Sequence, residues 1–268
     1  MNFLKQWTLM LALLIGFSFS LSAQEASAAS LYNKGYASLK AKDYETGYPQ
    51  IEEALKAAEA EGNEKVINLA KKNGAKAAYY VGSAKRKAKA YDEAITLFKR
   101  GMELNPEYSS NYMGLAQAYN SQGKKVEAVE SYLAAAELSE KAGKADRAAQ
   151  LVKKASSIVG KLYTAKDYAK AIEAGKAHLA KKETAAAHYY VAKSYDKQKD
   201  SANASTHINK AVEMAEAGGE AAADKYYWAQ GNILEAVSKK ADALAAYKKI
   251  TGEKYKANAE YRIGELEK

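Results

Sequence analysis

The stretch that decides the fold lies between residues 78 and 106. It begins Ala78-Tyr-Tyr-Val-Gly82, continues with Tyr91-Asp-Glu-Ala-Ile-Thr-Leu-Phe98, and closes with Asn105-Pro106. Each of the first two segments opens a helix, and the proline ends the second one because it has no amide hydrogen to donate. Two antiparallel helices approach closely only where a small side chain separates them, and Gly82 and Ala94 supply it. The stretch therefore predicts a helix hairpin.

The same spacing returns along the rest of the chain, where two columns of small residues mark it. The first-helix column reads Gly35, Gly82, Ala116, Val159, Ala192 and Gly231, with Gly264 as a seventh near the end. The second-helix column reads Gly47, Ala94, Ala128, Ala171, Ala204 and Ala243. Because no hairpin of this kind buries its own apolar face, stacking of neighbouring hairpins is what stabilises the chain.

This pattern resembles the tetratricopeptide repeat, a helix-turn-helix unit, from about Ser30 to the C-terminus. The resemblance implies an all-α fold: a right-handed superhelical solenoid of antiparallel helix hairpins, with about six units and a C-terminal helix. It is strongest around Gly82 and Ala116. It departs from the family at Val159, where a bulkier residue stands in the small column.

The intervals between successive first-column residues alternate between long and short. From Gly35 to Gly264 they are 47, 34, 43, 33, 39 and 33 residues. The alternation predicts a module of two hairpins present three times, in which the extra residues lengthen helices rather than form loops. We expect a signal peptide at residues 1–23 and a short linker at 24–29. The solenoid is expected to span residues 30–268. Within it we expect hairpin pairs at about 30–108, 109–185 and 186–257, followed by a terminal helix at 258–268.

The N-terminus has the pattern of a secretory signal peptide. One cation, Lys5, precedes an apolar run from Trp7 to Phe19, and small residues follow up to Ala23. Such a run is too short to span a bilayer stably. We expect cleavage after Ala23, with Ala28 as the alternative site and an uncleaved anchor as the competing interpretation. The prediction is an exported bacterial protein, periplasmic with secretion or envelope association as alternatives, and without a transmembrane segment after cleavage.

Composition narrows the chemistry. The absence of cysteine excludes disulfides, thiolate metal sites, cysteine nucleophiles and lipid attachment to an N-terminal cysteine. The three histidines, His178, His188 and His207, show no metal-ligand spacing. No phosphate-binding loop or nucleophile elbow is present. We expect no enzyme activity, cofactor or metal, and the net charge of +9, with both signs interleaved, does not indicate nucleic acid.

The remaining candidate site is a surface. In the tetratricopeptide family the first helices line a concave groove, and the resemblance places aromatic and cationic side chains of this chain there. The candidate partner-binding residues are Tyr32, Tyr36, Tyr79, Arg86, Lys87, Tyr163, Tyr189, Lys193, Lys197 and Trp228. Asn232 and Glu235 share the outward face of Trp228. The competing interpretation is that these are ordinary solvated lysines with tyrosines packed between repeats.

Two functions fit these features. The first is a non-catalytic interaction scaffold or adaptor of the bacterial cell envelope, which binds an acidic protein or peptide partner in the groove. The second is a binder of an anionic envelope glycan or other polyanion through a Tyr/Lys groove. Salt dependence distinguishes them, because polyanion binding weakens steeply with salt and docking of an apolar peptide does not.

Overall fold

The structure is a computed structural model that describes residues 27–218 and 223–268. Within these ranges every regular element is a helix, so the predicted all-α class is confirmed. In chain order the helices are α1 (Ala28–Lys40), α2 (Tyr44–Glu61), α3 (Glu64–Lys87), α4 (Tyr91–Leu104), α5 (Ser109–Gln122), α6 (Lys125–Lys141), α7 (Ala145–Thr164), α8 (Tyr168–Lys181), α9 (Ala185–Lys197), α10 (Ser201–Ala217), α11 (Asp224–Ala236), α12 (Lys240–Lys248) and α13 (Glu253–Glu267). None of these described helices has an apolar stretch long enough to cross a bilayer. The predicted signal peptide lies outside the described residues.

The described residues divide into two compact units, one that ends at Ala70 and one that begins at Lys71. In the first unit, α1 and α2 pack as a hairpin around the predicted small residues. A Cβ atom on Gly35 would lie 3.0 Å from the Cβ of Gln50, and one on Gly47 would lie 2.5 Å from a methyl of Leu39. The carboxylate of Asp43 accepts a hydrogen bond from the amide of Thr46 and so caps α2.

In the second unit the helices from α5 onward pack one against the next in chain order. The apolar cluster that joins α6, α7 and α8 includes Val129, Leu133, Leu151, Ile158 and Val159. First helices also contact each other across hairpins: α7 contacts α9, α9 contacts α11, and α11 contacts α13. The side that these four helices share is called the first-helix face below.

The turns inside the six hairpins share one geometry. Seven positions after each first-column residue stands a residue with positive φ, namely Lys42, Lys89, Gly123, Lys166, Lys199 and Ser238. The second-column residue follows five positions later in every case. Both columns are buried, from Gly35 to Gly231 and from Gly47 to Ala243. The predicted register is therefore confirmed.

Facing residues of the two helices in a hairpin compensate each other in size. The ring of Phe98 packs on Gly82, where a Cβ would lie 2.9 Å from the ring. At Val159, where the family pattern is broken, the partner helix presents Gly175, and a Cβ there would lie 3.3 Å from a methyl of Val159. The same Cβ would lie 2.2 Å from a methyl of Val191, so Gly175 makes room chiefly for Val191 of the next first helix and also borders Val159.

The long intervals are mainly helix, as predicted. In the first two, α2 and α3 have 18 and 24 residues and α6 and α7 have 17 and 20. The helices between them are shorter, since α4, α5 and α8 have 14 residues each. In the third long interval α10 again has 17 residues, but α11 has 13. Both helices are therefore lengthened in the first two long intervals, and one of the two helices is lengthened in the third.

The terminal helix differs from the expectation in two ways. It begins at Glu253, earlier than the predicted position 258. Gly264 is exposed, and a Cβ on it would meet nothing within 4 Å. The prediction that Gly264 continues the first-helix column is wrong, because no described helix packs over that position. The buried residue of α13 is Ala259.

Candidate functional site

A lysine lies against two tyrosine rings between α7 and α9. The Nζ atom of Lys193 is 4.6 Å from the ring centroid of Tyr163 and 5.1 Å from that of Tyr189. It also donates a hydrogen bond to the hydroxyl oxygen of Tyr189 at 3.3 Å. Cation–π contacts contribute about 0.5–2 kcal/mol, with the larger values at desolvated sites. These three residues are called the Lys193 cluster.

The charge of Lys193 persists in this setting. Burial acts to lower the pKa of Lys193, but the interactions with Tyr189 and Tyr163 outweigh it, so the pKa is raised. Burial raises the pKa of Tyr189, against the opposing effect of the Lys193 charge, so its hydroxyl stays protonated. In the described ranges the ammonium contacts tyrosines and no carboxylate. The cluster therefore presents a positive charge that no internal anion neutralises.

Neighbouring helices fix the rings of the Lys193 cluster in place. Tyr190 lies 6.2 Å from Tyr163 and 5.1 Å from Tyr189, centroid to centroid. Its ring approaches α7 at Gly160, where a Cβ would lie only 2.7 Å from the Tyr190 Cζ atom. From α11, Tyr226 meets Tyr189 edge to face at 5.4 Å and 89°. The cluster is thus positioned by three successive first helices.

A second site lies between α11 and α13. It is a cleft of about 410 Å³ lined by Trp228, Asn232, Glu235, Ala236 and Arg262. The indole of Trp228 packs on Tyr247, 5.4 Å away between centroids, and stacks on Tyr255 at 6.2 Å. This site is called the Trp228 cleft. The residues of the Trp228 cleft make no hydrogen bond, ion pair or ring contact with those of the Lys193 cluster in the described ranges. One electrostatic effect links the two sites: burial is the main cause that raises the pKa of Tyr189, and Tyr255 raises it further.

Two candidates on α3 have other partners. Tyr79 contacts the rings of Phe98 at 6.1 Å and Tyr108 at 6.3 Å and packs with an apolar cluster. Arg86 is half-buried near Tyr132, where its charge opposes the rise in pKa that burial causes at that tyrosine. Its Nε atom is buried without a hydrogen-bond partner. Both side chains therefore serve the packing of the α3 region at least in part.

The other charged candidates are more exposed. Lys87 lies at the end of α3 and is exposed. Lys197 lies one turn after Lys193 on α9, and its Nζ atom is 3.5 Å from a carboxylate oxygen of Asp196. Of the ten sequence-predicted residues, the contacts in the described ranges bring together Tyr163, Tyr189 and Lys193 and, separately, Tyr32 and Tyr36.

In the first unit the predicted pair of tyrosines is stacked. The rings of Tyr32 and Tyr36 are 5.6 Å apart with an interplanar angle of 11°. The Nζ atom of Lys40 lies 5.5 Å from the ring centroid of Tyr36. Tyr32 is only 7% exposed, so it offers little surface to a partner. The i, i+4 arrangement of tyrosine and lysine is the same as that of Tyr189 and Lys193.

All three histidines take part in internal contacts. The Nδ1 of His178 lies 2.8 Å from the carbonyl oxygen of Lys182, and its Nε2 lies 2.9 Å from the hydroxyl of Ser156. The Nδ1 atoms of His188 and His207 are 2.9 Å apart, so one ring donates a hydrogen bond to the other. Between residues 27 and 218 and from 223 onward, no three metal-ligating side chains come close enough to hold an ion.

Sequence reasoning missed three residues that shape these sites. Tyr190 was overlooked beside Tyr189, although the small residue at Gly160 makes room for its ring. Tyr247 is absent from the predicted residues, yet its hydroxyl reaches Asn232 and Glu235. Arg262 comes from α13, whose start was misplaced. The repeat pattern could have supplied Tyr190, but nothing in the sequence pairs Arg262 with Glu235.

Comparisons with known proteins returned solved structures of low sequence identity. No family model and no curated protein matches the chain. Among solved structures, the TPR2AB domain of yeast Sti1 in a complex with pHSP90 shares 16% identity over 90% of this chain and 98% of that chain, with a TM-score of 0.38. MamA shares 19% identity over 70% and 94%, with a TM-score of 0.39. The apo form of RapI shares 16% over 90% and 82%, with a TM-score of 0.44.

The fold assignment rests on this chain's own residues. Six hairpins repeat with the same turn position and with two buried columns of small residues. This is the arrangement that the tetratricopeptide pattern predicts. The described part of the chain is therefore all-α and built from repeated helix hairpins with the spacing of the tetratricopeptide resemblance.

Proposed function

We propose that this chain is a non-catalytic adaptor that binds a protein partner through an acidic segment, and that this segment docks on the Lys193 cluster. The observation that carries the proposal is the charge of Lys193, which lies against two tyrosines without a carboxylate partner in the described ranges. An ammonium has three donors. Tyr189 accepts a hydrogen bond from one of them, and Tyr163 is a second hydrogen-bond partner. The remaining donor is available to a partner's carboxylate.

Affinity on this surface must come from several contacts. An exposed ion pair contributes about 0–1 kcal/mol, so one lysine does not hold a partner. Tyrosine is enriched at interfaces, and a well-packed aromatic anchor contributes about 2 kcal/mol. Tyr163 and Tyr189 supply the apolar contact beside the charge, and one helical turn further Lys197, paired with Asp196, adds a polar contact.

The proposal places the adaptor in the bacterial cell envelope. It is supported by the N-terminal pattern, in which Lys5 precedes an apolar run from Trp7 to Phe19. The absence of cysteine argues against a lipoprotein anchor. Replacing Leu11 and Leu14 together by Arg puts two charges into the short apolar run, so the precursor is expected to stay in the cytoplasm. Normal maturation of that variant contradicts the export part of the proposal.

The experiment that tests the adaptor function compares captures made with matched baits. The wild-type protein, Lys193→Glu and Lys99→Glu are used to pull proteins from a cell-envelope extract, and captured proteins are identified by mass spectrometry. Lys99 is an exposed lysine on the second helix α4 and serves as the charge-matched control. A protein that wild type and Lys99→Glu retain, and that Lys193→Glu loses, supports the proposal. Equal loss in both variants places binding elsewhere and overturns it.

The polyanion alternative is tested in the same captures. Raising the salt from 50 to 300 mM weakens binding of a polyanion steeply, because many counterions are released on association. A partner held by one lysine and two tyrosines loses far less. Two results favour the polyanion: the captured material is released progressively as the salt concentration rises, and binding is lost after digestion with polysaccharide-degrading enzymes.

A further inference from the structure

The Trp228 cleft differs from the Lys193 cluster in being a shallow, solvent-open depression with several fixed polar groups. Its α11 residues are spaced at helical intervals, so Trp228, Asn232 and Glu235 face the same side, and Arg262 closes the cleft from α13. Its volume of about 410 Å³ lies in the range of small-molecule sites, which hold a few well-placed polar groups beside an apolar wall.

Tyr247 fixes the orientation of Asn232. Its hydroxyl oxygen lies 2.8 Å from the Oδ1 of Asn232 and 3.1 Å from an Oε2 of Glu235. Burial raises the pKa of Tyr247 to about 12, so the hydroxyl remains a donor at any physiological pH. Because the Oδ1 atom of Asn232 accepts a hydrogen bond from the Tyr247 hydroxyl, the two N–H donors of its exposed amide group are left for a ligand.

Arg262 and Glu235 form a paired donor and acceptor. The Nε of Arg262 donates to the Oε2 of Glu235 at 3.2 Å, and its Nη2 pairs with Oε1. Such a two-point pair holds both side chains in one geometry. The two charges cancel, so the lining presents donors and acceptors without net charge. A carboxylate ligand gains little here, whereas a ligand with many neutral hydroxyl groups finds partners of both kinds.

The indole supplies the apolar wall. Trp228 is held by Tyr247 and Tyr255, so its ring is fixed before any ligand arrives. A pyranose ring has an apolar face of C–H groups and a rim of hydroxyls that both donate and accept. We propose that the Trp228 cleft is a saccharide-binding site, in which a neutral sugar ring packs on Trp228 and its hydroxyls bond to Asn232, Glu235 and Arg262. This site is additional to the docking surface of the proposed function.

Trp228 is itself the reporter for the test. The chain has two tryptophans, Trp7 and Trp228, so the full-length variant Trp7→Phe leaves Trp228 as the source of indole fluorescence. That protein is titrated with cellotetraose, maltotetraose and tetra-N-acetylchitotetraose, and separately with trigalacturonate and a poly-glutamate peptide. We expect a saturable change in emission with at least one neutral tetrasaccharide. The absence of a saturable change with all three neutral sugars overturns the proposal.

A matched pair of variants shows whether the polar groups of the cleft bind the sugar. Asn232→Asp keeps an acceptor for Tyr247 but removes the two N–H donors, and we expect at least fivefold weaker sugar binding. Lys99→Gln, at an exposed position on α4, leaves sugar binding unchanged, and thermal unfolding confirms that both variants are folded. Equal affinity of Asn232→Asp and its parent overturns the assignment. A saturable response to poly-glutamate alone also overturns it, while the adaptor function, which is tested at Lys193, stands or fails separately.

Discussion

The Lys193 cluster and the Trp228 cleft occupy the same register of two successive repeats. Tyr189 and Trp228 both lie three residues before the small residue of their first helix, and Lys193 and Asn232 both lie one residue after it. Their surroundings differ. The lysine meets rings from its own and a neighbouring first helix, whereas the asparagine meets a hydroxyl from its own hairpin.

The difference begins with the small residue itself. In the fifth hairpin Ala192 faces Ile208, and both are fully buried. In the sixth, Gly231 leaves room for Tyr247, and a Cβ there would lie 2.3 Å from the tyrosine ring. The larger ring carries a hydroxyl up to the first-helix face. The glycine in the packing column thus allows the Tyr247 hydroxyl to reach Asn232, whereas Ile208 offers no polar group at the equivalent place.

The largest effect is expected from closing that space. Gly231→Ala forces its Cβ against the buried ring of Tyr247, so the free energy of unfolding should fall by about 1–3 kcal/mol, as overpacking does in cores. Urea denaturation followed by circular dichroism measures it. Combining Gly231→Ala with Tyr247→Ile rebuilds the Ala192–Ile208 pair of the preceding hairpin, so the double variant should be more stable than the sum of the single effects predicts. Strict additivity would contradict the size compensation.

Lowering the pH should reduce stability through groups near the Lys193 cluster rather than through groups of the Trp228 cleft. All three histidines lie between residues 178 and 207. Burial is the largest cause that lowers the pKa of His178, His188 and His207, and the charges of His188 and Lys176 lower the pKa of His207 further. The unfolded chain takes up protons near the ordinary pKa of about 6.5, and the folded chain does so only at lower pH. Stability is therefore present above that value and is lost as the pH falls through it.

The measurement is the free energy of unfolding at pH 7.5 and pH 5.5. The charged groups around the histidine pair are Glu183, which favours protonation of His188, and Lys176 and Lys210, which oppose protonation. The double variant His188→Gln with His207→Gln should lose less stability between the two pH values than wild type. An identical loss in both proteins would assign the acid sensitivity to other groups.

The two regions also show how far sequence reasoning reaches. The spacing of Gly82, Ala116 and their equivalents was enough to predict the hairpins and their register, because a backbone contact tolerates few residue types. Lys193 and Tyr189 followed from helical spacing on one helix. The pairing of Arg262 with Glu235 could not be predicted, because it joins residues 27 positions apart through a helix whose start was uncertain. Contacts between residues of one helix can be predicted from their spacing in the sequence, whereas contacts that depend on the angle between two helices cannot.

Because the two sites differ in charge, substitutions in them should affect the affinity for the protein partner differently. Lys193→Gln removes the ammonium but keeps a polar side chain of similar length, so binding of the captured protein partner should weaken by about 1 kcal/mol, or roughly fivefold. Asn232→Asp should leave that affinity unchanged. Isothermal titration with the purified partner measures both. Equal losses would mean that the partner spans both sites and that the charge difference between them does not direct it.

The smallest effect concerns the hairpin turns, where the two regions should behave alike. Lys166 and Ser238 have φ values of 63° and 59° in turns of the same register. A left-handed conformation costs a non-glycine residue about 1–2 kcal/mol, whereas glycine adopts it freely but loses more conformational entropy on folding, about 0.5–1 kcal/mol. Lys166→Gly and Ser238→Gly should each raise the free energy of unfolding by about 0.5 kcal/mol, and Gly123→Ala should lower it by about 1 kcal/mol. Opposite signs for the first two variants in urea denaturation would show that the turns of the two hairpins are not equivalent, and the functional difference would then begin in the backbone rather than in the column residue facing Tyr247.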